Sequence, residues 1–206
     1  MLSMQSVVAQ NTDSTSYWTN GKLKFCGVLN EGLLNGPSIE YNEFGHVKSE
    51  GVFLNGDKSD EWKYYNMNNL AEVGSYQAGK KYGEWKEFNL DASEVYFGVY
   101  KDGLKSGAWI LKMGEIILIK DYFQLGKIEG AGYCYYGTGE IKSKNMYRNG
   151  QYHGVNIGYH ENGEISIRSN YKDGLQDGLQ KHYSDVGKLI KEEIYKDGEL
   201  IETKEY

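Results

Sequence analysis

Apolar and aromatic side chains return along this chain at fixed intervals. One column runs Leu23, Val47, Leu70, Ile116, Ile141, Ile165 and Leu189, with Glu94 as its polar member. Six residues after each of these stand Leu29, Phe53, Tyr76, Tyr100, Tyr122, Tyr147, Tyr171 and Tyr195. An even separation puts both columns on the same face of an extended strand, because side chains alternate there. Tyr41, Tyr65, Phe88, Lys112, Tyr135, Tyr159 and Tyr183 form a third column, on the neighbouring strand. Helical spacing is found nowhere, so the pattern predicts β-strands throughout.

The turns between these strands are as regular as the strands. Gly32, Gly56, Gly79, Gly103, Gly126, Gly150, Gly174 and Gly198 follow one another at steps of 24, 23, 24, 23, 24, 24 and 24 residues. Asn55, Asp102, Asn149, Asp173 and Asp197 stand directly before five of them. Asn-Gly and Asp-Gly between apolar segments signal a two-residue type I′ hairpin, whose central residues both need positive φ. A second glycine at Gly36, Gly83, Gly107, Gly130, Gly154 and Gly178, replaced by Asp60 and Glu202 in the other units, reads as part of the same reversal. The opposite end of each unit turns at Gly21, Gly45, Gly114, Gly139, Gly163 and Gly187, with Asn68 and Ala92 in that slot elsewhere. A unit is therefore strand, turn, strand, turn, and a fixed period of this length marks an array in which each unit packs on its neighbours. The expected fold is all-β: an elongated single-sheet solenoid of about eight stacked antiparallel hairpins over 17–206, preceded by a leader at 1–16.

Two positions before the first aromatic column the residue is Gly27, Gly51, Gly74 and Gly98, then Lys120, Asn145, Ser169 and Glu193. Glycine inside a strand makes room for a ring, and Trp62, Trp85 and Trp109 recur in one slot of three successive units. These three with Tyr64 are the candidate partner-binding residues, since Trp and Tyr dominate binding hot spots. The competing reading is that they cover the glycines and are core.

Composition narrows the function classes. The chain has 206 residues with 27 Gly and 19 Tyr against one Pro, and a net charge of −6. That balance argues against a nucleic-acid partner, which needs a basic face, and is compatible with a basic protein. Cys26 and Cys134 would lie ~44 Å apart in such a stack at ~4.8 Å per strand, too far for a disulfide. No apolar run approaches a membrane span, and the mixed Lys58–Lys63 and Lys80–Lys86 stretches would attract anionic lipid only feebly. Val7, Val8, Ala9 and Gln10 look like the end of an export signal, yet a basic start and a full apolar stretch are missing. A disordered leader implies a cytoplasmic protein; a truncated signal implies an exported or periplasmic one.

No catalytic, cofactor or metal site is expected. His46, His153, His160 and His182 occupy different slots and have no ligand-spaced partner. Glu61 and Glu84 each precede a Trp, which repetition alone explains. The glycine pairs begin no helix, so they offer no phosphate or dinucleotide cradle and no small-molecule substrate is evident.

The segments Tyr100-Lys101-Asp102-Gly103-Leu104-Lys105-Ser106-Gly107-Ala108-Trp109 and Tyr147-Arg148-Asn149-Gly150-Gln151-Tyr152-His153-Gly154 resemble MORN repeats, above all the bacterial variant. The likeness extends over about residues 17 to 206 and implies hairpins of ~23 residues stacked into one twisted sheet. The spacing in Tyr159-His160-Glu161-Asn162-Gly163-Glu164-Ile165 is similar to that of YwqK-type antitoxins. This resemblance implies binding rather than catalysis: an antitoxin or immunity protein occluding a basic toxin, or a scaffold or membrane-proximal module of an envelope assembly.

Overall fold

The computed structural model describes residues Asn11–Tyr206, all strand and turn, without a helix. It divides into two units. The first comprises the residues up to Ala92 together with Tyr100–Gly103, and the second Ser93–Val99 with Leu104–Tyr206. Strands of the first unit are β1 (Thr12–Tyr17), β2 (Leu23–Asn30), β3 (Leu33–Tyr41), β4 (Val47–Leu54), β5 (Asp57–Asn66), β6 (Asn69–Gln77) and β7 (Lys80–Phe88). The unit boundary falls within β8 (Glu94–Lys101). The second unit continues with β9 (Leu104–Met113), β10 (Ile116–Gln124), β11 (Lys127–Ile128), β12 (Gly130–Tyr135), β13 (Ile141–Arg148) and β14 (Gln151–Tyr152). It ends with β15 (Gly154–Tyr159), β16 (Ile165–Lys172), β17 (Leu175–Gln176), β18 (Gly178–Tyr183), β19 (Leu189–Lys196) and β20 (Glu199–Glu205). Within each unit every strand pairs antiparallel with its chain neighbours, β11, β14 and β17 being short continuations at the hairpin tips.

The tight turns are as expected. Asn55 and Gly56 have φ of 52° and 88°, Asp102 and Gly103 52° and 83°, and Asn149 and Gly150 53° and 83°. From Gly56 onward each turn glycine of this column also donates its N–H to a carbonyl one unit back, as Gly79 does to Lys58 at 3.1 Å, Gly103 to Lys81 at 3.0 Å and Gly174 to Tyr152 at 2.8 Å. This stitch ties each hairpin tip to the one before it and is made across steps of both 23 and 24 residues. The second glycine does not belong to the reversal. Gly36, Asp60 and Gly83, all with positive φ, lie where β3, β5 and β7 bulge against the strand before them.

A second bulge in each hairpin changes the faces of the columns. The register shifts between Glu40 and Tyr41, Tyr64 and Tyr65, Cys134 and Tyr135, Gly158 and Tyr159, and His182 and Tyr183. An extra residue on one strand inverts the alternation beyond it. Leu70, paired with Tyr65, therefore lies on the face opposite Tyr76, and the even separation of six does not put the two columns together. One face carries Trp62, Tyr64 and Tyr76; the other carries Tyr65, which donates to Glu50 at 2.6 Å.

Around Gly114 the columns also move by one position. Met113 pairs with Ile116 across a two-residue loop, so Gly114 sits one place earlier than the turn residues of the other units. Ile117, not Ile116, then opposes Lys112, and Phe123, not Tyr122, takes the aromatic slot against Trp109, with ring centroids 6.1 Å apart. Asp121, not Lys120, pairs with Trp109, while Tyr122 is left exposed.

Thr12–Ser16, assigned from sequence to the leader, forms most of β1 and pairs with β2. The segment 1–10, on which the export-signal reading rests, lies outside the described residues.

Candidate functional site

The bulge at Asp60 turns Trp62 inward, and Gly51 on the strand before it leaves the space. A methyl group built on Gly51 would lie 2.3 Å from the Trp62 ring, one on Gly74 2.2 Å from Trp85, and one on Gly98 2.5 Å from Trp109. Ring and missing side chain are thus complementary in each of three hairpins. Trp62, Trp85 and Trp109 are 3%, 0% and 0% exposed, and each indole N–H donates to a backbone carbonyl, of Val52, Ser75 and Val99 respectively. No ring face is open to a partner. Of the four candidate contact residues the three Trp are core, because a single-layer sheet must use its largest rings to bury its own surface. Tyr64 is half-buried between them, 6.2 Å from Trp62 and 6.3 Å from Trp85.

What covers these rings is lysine. Lys58 Nζ stands 4.1 Å from the Trp62 centroid, Lys81 3.8 Å from that of Trp85, and Lys105 3.8 Å from that of Trp109. Each lysine precedes its Trp by four residues, an even separation, and the bulge between them adds two residues and so keeps both on one face. Ammonium groups over indole faces are held by the ring quadrupole while their stems cover apolar surface. Lys58 also donates to the Tyr64 hydroxyl at 2.8 Å, which shares a 2.8 Å bond with that of Tyr76; Lys81 pairs with Glu72 at 2.7 Å. Burial lowers the Lys58 ammonium from its ordinary value, and neighbouring Lys48 and Lys81 act in the same sense against Glu40. Burial likewise raises the phenols of Tyr64 and Tyr100, helped by the Tyr76 bond in the first case and the Glu87 charge in the second. The recurring Lys-x-x-x-Trp spacing was the signal in the chain for this lysine cover; reasoning from the rings alone passes over it.

After Trp109 the same slot changes character. It holds Gly132, Asn156 and Gln180, paired across the hairpin with Asn145, Ser169 and Glu193. Asn156, Ser169, Gln180 and Glu193 are all buried. Asn156 accepts from the Met146 N–H at 2.8 Å, and Ser169 donates to Gln180 at 2.7 Å. The Glu193 carboxylate receives Gln180, His182 and Lys191 at 2.7, 2.8 and 2.8 Å. The Lys191 and His182 bonds hold its carboxyl far below the usual carboxylate range, at about 2, against the opposing effect of burial. A polar core of this kind is stable because each buried group has its partner.

The histidines serve the frame: His160 bonds the Tyr183 carbonyl at 3.0 Å, as Trp18 bonds that of Tyr41 at 3.1 Å. Both cysteines are free thiols. Among the described residues no group of three or more His, Cys, Asp or Glu side chains is placed to hold a metal ion.

The family model described as a MORN repeat variant matches the chain at residues 34–55, 152–173 and 176–197. Each match covers one hairpin, and all three fall where the inner slot holds Ser38, Asn156 or Gln180 instead of Trp. Repeats of this kind are generally protein- or membrane-binding modules. No curated protein matches the chain significantly.

Proposed function

We propose that this chain is a non-catalytic protein-binding repeat protein, and that its finer role is that of an antitoxin or immunity protein occluding a basic toxin. The observation that carries the reading is the division of labour in each hairpin. Core slot, hairpin turn and stitching bond recur from unit to unit, which leaves the remaining positions of an open sheet to vary with the partner. Carboxylates populate those positions in the first unit: Glu40, Glu50, Glu61, Glu72 and Glu84 place one on every strand from β3 to β7. With a net charge of −6 this steers a basic protein into contact, and complementary charges set the rate and register of encounter more than the final affinity.

The test is co-expression with the product of the adjacent gene. Growth arrest by that product alone, relieved by this chain, with co-elution of the two at low salt, is the expected result. A neighbour that stays active and unbound in its presence removes the antitoxin role. If the neighbour is harmless by itself and the two still co-elute, the scaffold reading, a structural or membrane-proximal assembly module, takes its place.

A further inference from the structure

One surface of the second unit contradicts the acidity of the whole chain. Lys120, Lys144, Arg168, Lys181 and Lys204 fall in a single row across β10, β13, β16, β18 and β20. The row is continuous because Tyr133, Ile157 and Glu192 fill the strands between them, each residue being the direct ladder partner of the next. Direct partners share a face. Ile157, Arg168, Lys181 and Glu192 are each one position from a buried polar residue of their own strand, so the row lies on the side away from that core. Lys181 pairs with Glu192 at 3.0 Å. Lys120, Lys144, Arg168 and Lys204 have no carboxylate within ion-pair distance among the described residues. Between Arg168 and Lys181 the face sinks into a hollow of about 250 Å³ floored by Asn170, Leu179 and Tyr183.

We infer that this face docks an acidic polypeptide segment with apolar side chains between its carboxylates. Lys120, Lys144 and Arg168 follow one another two strands apart, about 10 Å at ~4.8 Å per strand. Carboxylates recur on one side at about that distance every third residue of a polyproline II segment or every seventh of a helix. Apolar side chains of the segment meet Ile157 and Leu179 between the cations. The same floor speaks against a single-stranded nucleic acid, whose bases stack on ring platforms. Tyr133 and Tyr183 are instead half-buried in the sheet, and the net charge of −6 repels a dense polyanion beyond the row itself. The inference does not rest on the occlusion reading, which concerns the first unit.

The experiment uses the full chain and a fluorescein-labelled Glu-Ala-Leu repeat of roughly 18 residues, long enough to span the row, read by fluorescence anisotropy. Saturable binding that weakens with salt is expected. The charge reversal Lys144→Glu with Arg168→Glu lowers the affinity at least ~10-fold. The equal reversal Lys172→Glu with Lys188→Glu, at exposed sites off the row, changes it less than ~2-fold. Lys144→Gln with Arg168→Gln, which preserves shape, gives the same order of loss should the reversal disturb folding. The inference is overturned by absence of binding, by equal losses in the two reversals, or by an oligothymidine or a phosphatidylserine vesicle binding more tightly through the same two residues.

Discussion

Gly74→Ala isolates the relation between an empty position and a ring. The added methyl would stand 2.2, 2.4 and 2.4 Å from Cδ2, Cε2 and Cγ of Trp85, distances no pair of carbons sustains. Relief by moving the ring is blocked on every side. Trp85 is wholly buried, Tyr76 and Tyr100 contact it edge-on at 5.4 and 5.7 Å, Lys81 covers it at 3.8 Å, and its N–H is bonded to Ser75 at 3.0 Å. Overpacking a tight core costs about 1–3 kcal/mol. A displaced ring adds a lost hydrogen bond of about 1 kcal/mol and part of two aromatic contacts worth about 0.5–1.5 kcal/mol each. The sum is about 3–5 kcal/mol, or a fall of roughly 6–20 °C in melting temperature at 2–4 °C per kcal/mol. Urea and thermal unfolding followed by Trp fluorescence measure it. Gly83→Ala is the control, since nothing lies within 4 Å of its added methyl and its φ of 70° costs about 1–2 kcal/mol. The pair Gly74→Ala with Trp85→Leu should be less destabilised than the two single losses added together. A Gly74→Ala protein within ~1 kcal/mol of the parent, or additive losses in the pair, would refute the complementarity argument.

Glu193→Gln should cost about 2 kcal/mol near pH 7, the order of a buried carboxylate losing charge-assisted donors. Since the carboxyl is more acidic folded than unfolded, that contribution is complete above pH ~4.5 and disappears as pH falls toward 2, so the variant's acid unfolding curve should converge on the parent's there. Asp121 behaves oppositely: burial raises its carboxyl, the folded state favours the proton, and Asp121→Asn should raise the unfolding free energy at pH 7 by about 0.5 kcal/mol; a loss would show an unrecognised partner. Tyr65, donating to Glu50, ionises only at about 12, and its contribution is complete below pH ~10 and lost as pH rises through 12. Glu50→Gln should bring one phenol back toward the ordinary value in a 295 nm titration, and an unchanged curve would show that the bond is absent in solution.

How far the fold was legible depended on which chemistry enforced each feature. Type I′ turns announce themselves because the second of two consecutive positive φ values falls on Gly in every unit, with Asn or Asp before it in five and Glu31, Ala78 or Leu125 in the others, and the glycines facing Trp62, Trp85 and Trp109 do so because a side chain there has nowhere to go. The bulges leave no such mark. Tyr64 and Tyr65 are chemically alike and adjacent, yet the register shift between them sends one ring against Trp62 and the other to Glu50 on the opposite face. Nothing in their identities tells which will do which. Gly114 misled for a related reason, since a glycine with φ of 58° suits either of two turn positions, and only the pairing of Met113 with Ile116 decides that Phe123 and not Tyr122 faces inward.

The same bulges explain why the charged surface was the least legible part. A charge pattern can be assigned to a face only if the alternation is known, and each hairpin inverts it once. Counted along the chain, Lys144, Arg168 and Lys181 are scattered among carboxylates and average to an acidic protein. Counted across the ladders they are neighbours, with the carboxylate of Glu193 turned to the other side to meet Lys191 and His182. Net charge therefore describes the long-range field of this chain. The face a segment touches is set by register, and on the second unit register assembles cations.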